Sequence, residues 1–86
     1  MNLQETANMM CSDDYKQRFL AEYYQLAIRF TKLKEMVRKW DNGELNFTPI
    51  CSRETYDLQL KAMSEYMSIL KLRASIENVG IEDLPD

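Results

Sequence analysis

The groups in this sequence best suited to chemistry are arginines, lysines, tyrosines and a glutamine set beside apolar residues at helical spacing. Arg73 is flanked by Leu70, Leu72 and Ala74, so its guanidinium rises from a partly apolar surface. A guanidinium in that setting seeks an anion, and it can hold phosphate or carboxylate through two parallel hydrogen bonds. Glu77, one turn on, or Glu65 of a neighbouring molecule would satisfy it as a salt bridge. Gln59 and Tyr66 can hydrogen-bond across an interface or simply pack in one. Arg29, Lys32 and Arg38 flank an apolar seam, as an anion site or as a solvated, ion-paired face. Tyr23, Tyr24 and Trp40 could stack on bases; aromatics at this spacing also build cores.

Other chemistry is thinly supplied. The chain has no histidine, and its two cysteines, Cys11 and Cys51, are forty residues apart. A zinc site needs three or four suitable ligands, so no metal is expected. No Gly-rich phosphate loop and no Cys/His pair is present, and Asp13 and Asp14 read as an N-terminal charge cluster. The expectation is a protein that is not an enzyme and carries no cofactor. Two lone thiols fit a reducing compartment.

The elements that must position these groups are helices. Phe19, Tyr23, Leu26, Phe30, Leu33, Val37 and Trp40 are spaced 4, 3, 4, 3, 4, 3, a heptad seam. Ser12 is expected to cap this helix, with Asp13 and Asp14 in its first turn. Asp41-Asn42-Gly43 ends it. A second seam, Tyr56, Leu60, Met63, Met67, Leu70 and Ala74, follows Ser52 with the same period. The predicted fold is all-α: an antiparallel two-helix hairpin over 13–78, with helices about 13–41 and 52–78 and a connection over 42–51. Residues 1–12 form an N-terminal arm or short helix, and 79–86 an acidic, mobile tail. Leu45, Phe47 and Ile50 are expected to tuck over the hairpin end.

The second helix carries another apolar stripe, Leu58, Ala62, Ile69, Leu72 and Ile76, roughly opposite its seam. One partner helix cannot cover both faces. Eighty-six residues also make a small core, and oligomerisation is a common remedy. A helical homo-oligomer is therefore predicted. The net charge of −3 argues against long nucleic acid. The bases from Lys16 to Lys39 nevertheless concentrate on the first helix, between acidic ends. No secretory signal and no apolar run of about 20 residues is seen, so a soluble intracellular protein is expected, with no membrane partner.

The run from Leu58 to Arg73 reads L-Q-x-x-A-M-x-x-Y-x-x-I-L-x-x-R. It resembles the helical hairpin of phage immune-evasion sponges, the cyclic-oligonucleotide sponge that blocks CBASS defence and its relative that blocks Thoeris defence. Glu22, Leu26, Leu33 and Lys34 fit the first helix of that hairpin. The connection Asn46-Phe47-Thr48-Pro49-Ile50-Cys51 is most similar to small proteins of crAss-like phages and Firmicutes prophages. The resemblance covers roughly residues 15–77. It implies a compact homo-oligomer, commonly a hexamer, in the host bacterial cytoplasm. Such an oligomer holds cyclic di- or trinucleotides between subunits without cleaving them. It implies Arg73 as a phosphate contact, Gln59 and Tyr66 as matching motif positions, and Tyr15 as the nearest base-stacking aromatic of the arm. Either Arg29 or Lys32 corresponds to the family's lysine on the first helix. The extra domain of the anti-Thoeris sponge has no counterpart in these 86 residues, so cyclic ADP-ribose isomers are not the expected ligands. The alternative expectation is a helical protein–protein interaction module with no nucleotide ligand.

Overall fold

The computed structural model describes residues 1–82 and contains, among them, helices α1 (Leu3–Met10), α2 (Tyr15–Asp41) and α3 (Arg53–Glu77), with no strand. The arm is thus a short helix. Asn2 caps it by accepting a hydrogen bond from the Glu5 amide at 2.9 Å. Its inner side buries Thr6 and sets Met9 against the core, so α1 packs on α2.

Helix α2 begins later than Ser12 and the two acids suggest. The Ser12 hydroxyl accepts from the Asp14 amide (3.1 Å), and the Asp14 carboxylate accepts from the Lys16 amide (3.0 Å). Asp14 is therefore the cap, and Asp13 stands outside the helix. A short side chain that reaches the amide two residues on removes one orphan donor wherever it sits, and Asp14 does so here. The helix closes at Asn42, and Gly43 takes φ +70°, a left-handed conformation that glycine adopts without steric cost.

The two heptad seams face each other. Phe19, Tyr23, Leu26 and Val37 of α2 and Met63, Leu70 and Ala74 of α3 are buried. Phe30, Leu33 and Met67 pack partly buried against this core. Trp40 meets Tyr56 edge to face at 5.9 Å, and Arg53 forks onto Asp41 at 3.0 and 3.1 Å. These contacts tie the end of α2 to the start of α3 and fix an antiparallel hairpin. They also close its end without the connecting loop. Phe47 and Ile50, expected to tuck there, are exposed, and Leu45 is only half-buried.

Beyond the seam, α2 buries Ala21, Tyr24, Ala27 and Ile28. Helix α1 packs against α2, and the segment after α3 folds back as well. Asn78 turns the chain at φ 58°, Val79 is buried, Ile81 packs on the core, and the Glu82 amide donates to the Tyr24 hydroxyl at 3.0 Å. Residues 79–82 are thus docked by apolar contact rather than mobile. The rest of the predicted tail, 83–86, lies outside the described residues. Tyr23 and Tyr24 are core residues, not stacking platforms.

Ser52 caps α3 by accepting from the Thr55 amide at 3.3 Å. Ser52→Ala is expected to lower unfolding stability by about 1 kcal/mol in a urea titration. An unchanged midpoint would show that the cap contributes nothing. No helix among the described residues is long and apolar enough to cross a membrane.

Candidate functional site

Two rows of polar residues run along one edge of the hairpin. On α3, Gln59, Tyr66 and Arg73 are seven residues apart; on α2, Tyr15, Glu22 and Arg29 are seven apart. Residues seven apart share one side of a helix, about 10 Å from each other along its axis. The antiparallel register sets these rows against one another.

The first meeting point joins Tyr15 to Arg73. The Tyr15 hydroxyl donates to Glu77 Oε1 at 2.5 Å and accepts from Arg73 Nη2 at 3.0 Å. Arg73 Nε donates to Glu77 Oε2 at 3.2 Å. The guanidinium carbon lies 5.0 Å from the centroid of the buried Phe19 ring, within cation–π range. Arg18 stands 6.0 Å from the centroid of the Tyr15 ring and donates to the Ser12 carbonyl at 2.9 Å. The arginine thus has a fixed floor and two partners, while about two-fifths of its side chain faces solvent.

The electrostatics agree with that geometry. The Glu77 carboxyl is held below the usual carboxylate range, first by the Tyr15 hydrogen bond and then by that of Arg73. The same carboxylate raises the Tyr15 phenol, and it also strengthens the protonated state of Arg73. Near neutral pH the cluster is a cation, an anion and a neutral phenol. It offers charge-assisted donors to an anion and a tyrosine edge to a flat group.

Two turns away along both helices, the Tyr66 hydroxyl donates to the Glu22 carboxylate. At the next step Arg29 and Gln59 are both exposed, with no hydrogen bond between them among the described residues. Arg29 also lines a groove of about 380 Å³ between α1 and α2, with Leu3, Thr6, Met10 and Gln25. Lys32 stands apart from the edge. It lines a different concavity of about 320 Å³ beside the connecting loop, with Met36, Lys39, Leu45 and Phe47.

Of the residues singled out by sequence, the fold therefore joins Tyr15 with Arg73 and places Tyr66, Gln59 and Arg29 on the same edge. It leaves Lys32 elsewhere. Arg38 is consumed by ion pairs, gripping Glu35 at 3.0 and 2.8 Å and reaching Glu44 at 3.4 Å. Phe19, the floor under Arg73, and Glu22, the partner of Tyr66, are site residues that residue type alone does not single out. The matching seven-residue spacings of 15–22–29 and 59–66–73 were the available signal. No group of three or more metal-capable side chains converges among the described residues.

Beside this edge on α3, one turn from Tyr66 and Arg73, the second stripe is bare. Leu58, Ile69, Leu72 and Ile76 are 69, 57, 61 and 71% exposed. These four side chains form a continuous apolar face that no other element of the chain covers among the described residues.

A family model described as Sequestin matches residues 13–76, the span of α2 and nearly all of α3. No curated protein and no solved structure matches the chain.

Proposed function

The chain belongs to the Sequestin family, and from that premise we propose that it sequesters cyclic oligonucleotide second messengers, cyclic di- or trinucleotides, without cleaving them. Sequestration is what the family's name denotes. The resemblance of the Leu58–Arg73 run to phage sponges supplies the ligand class. In this reading the protein is a phage or prophage immune-evasion factor acting in the host bacterial cytoplasm. It lowers the free concentration of a defence signal, so the host effector is not activated.

The observation that carries the reading is the Arg73 cluster. An arginine seated on a buried phenyl ring and steered by Tyr15 is preorganised for a phosphodiester. Cyclic oligonucleotides repeat the phosphodiester by symmetry. A homo-oligomer, a hexamer in the closest form of the reading, repeats Arg73 by symmetry too. The bare stripe of α3 is the surface through which copies would associate, and it would bring several Arg73 edges around one ring. Tyr66, Gln59 and Arg29 lie along the same edge, where they either contact the ligand or hold the subunits in register.

The bare stripe also favours a second reading, a helical module whose stripe receives another protein and which has no nucleotide ligand. Native mass spectrometry separates the two. Purified protein is sprayed alone and with cyclic di-adenylate, cyclic di-guanylate and cyclic tri-adenylate. A homo-oligomer that gains whole, uncleaved ligand masses is the expected result. A dimer or tetramer indifferent to every ring would favour the interaction module.

A further inference from the structure

We propose that Glu77 is an internal stand-in for the ligand's phosphate, occupying Arg73 in the free protein and yielding it on binding, so that it sets the affinity threshold of the site. The inference rests on the sequestering role of Arg73 proposed above and concerns how that site is regulated.

Three features of the site support it. Glu77 is the last residue of α3, and Asn78 behind it has already left the helix. A carboxylate at a helix C-terminus faces the negative end of the dipole, where an acid is unfavourable and a base would stabilise. The helix itself therefore gives no reason for an acid there. The contacts of its two oxygens do: Oε1 accepts from Tyr15 and Oε2 from Arg73.

The hold on Arg73 is also incomplete. Glu77 takes only Nε, while Nη2 turns to the Tyr15 hydroxyl. A carboxylate that filled the fork would accept from both nitrogens in parallel. A phosphodiester can take that paired geometry, so it competes with an advantage. Finally, the pair is accessible. The side chains of Arg73 and Glu77 are 43 and 31% exposed, and ion pairs in such a setting contribute little net stability. A weak, single-point carboxylate contact is easily exchanged for a stronger anion.

The stand-in has a function in a sponge. It leaves the free site close to neutral, so a lone small anion gains little by entering. A ring that engages several copies of Arg73 at once displaces several carboxylates together. Once displaced, Glu77 remains nearby as a like charge, and it continues to lower affinity for any anion.

The test compares wild type, Glu77→Gln, Arg73→Ala and the double variant by calorimetry against cyclic di-adenylate, cyclic di-guanylate and cyclic tri-adenylate. Glutamine keeps the acceptor oxygen and the length of the side chain but removes the charge. Thermal unfolding of each variant checks that the fold persists. Glu77→Gln is expected to bind about fivefold tighter than wild type, the scale of one like charge removed at the edge of a hydrated site. The gain should vanish in the Arg73→Ala background, because the stand-in acts through that residue. Wild-type binding that is unchanged or weakened by Glu77→Gln would overturn the stand-in and leave the sequestering role in place. The same gain with Arg73 absent would also overturn it, as an effect of bulk charge alone. Failure of every protein to bind any ring would remove both proposals.

Discussion

Ile69→Glu is expected to abolish the proposed self-association and leave a folded monomer. Ile69 sits in the middle of the stripe formed by Leu58, Ala62, Leu72 and Ile76, and all of these are exposed in the single chain. Its neighbour Leu70 points the other way and is fully buried in the hairpin. The substitution therefore leaves the intramolecular core untouched, and glutamate is a good helix former. In an assembly the same side chain would enter a dry interface once per subunit. An unpaired charge there costs on the order of 3 kcal/mol or more, and symmetry multiplies the cost around the oligomer. Light scattering should report one chain mass for the variant and a multiple of it for wild type. Circular dichroism should report the same helix content for both. A variant eluting at the wild-type mass would place the interface elsewhere, and a wild type that is already monomeric would remove the assembly.

Arg73→Ala is expected to weaken cyclic-nucleotide binding at least tenfold, about 1.4 kcal/mol per site, with the oligomer preserved. Arg73 rests on Phe19 and touches Tyr15 and Glu77, at the edge of the hairpin and outside the apolar stripe. Removing it deletes a charge-assisted donor without opening a core cavity. It also leaves Glu77 without its cation, so the residual local charge turns negative and repels phosphate further. Titration calorimetry on a variant shown to be assembled is the measurement. Unchanged affinity would remove Arg73 from the site and shift attention to Arg29 and Lys32. Those residues line the two separate concavities on α2. The two substitutions are complementary, since one targets assembly without the ligand contact and the other the contact without the assembly.

Much of the fold was legible in the chain because its determinants are local. Two seams at heptad spacing fix two helices and the faces they bury. Ser52, Asn42-Gly43 and Asn78 mark helix ends by hydrogen bonds and backbone angles that depend on a few neighbouring residues. The start of α2 lies two residues later than the sequence suggests because Ser12, Asp13 and Asp14 are all competent caps, and only the folded backbone shows that Asp14 is the one that reaches an amide of the helix itself, that of Lys16. The exposed loop residues Phe47 and Ile50 were misread for another reason. Apolar character says that a residue gains from burial, not that a surface remains for it to cover.

The candidate site was legible as residue types and not as an arrangement. Arg73, Tyr15 and Tyr66 were identifiable as groups that could contact an anion or a base. Arg73 and Tyr15 are 58 positions apart, as are Tyr24 and Glu82, and nothing in local sequence says that either pair meets. Sequence by itself determined that this protein is a pair of amphipathic helices with one apolar stripe to spare, because helical periodicity is written residue by residue. The tertiary structure alone decided which polar groups share an edge, and that Phe19 and Tyr15 of α2 meet Arg73 of α3. Those outcomes depend on the antiparallel register, and the register is set by how the two seams interlock over their whole length.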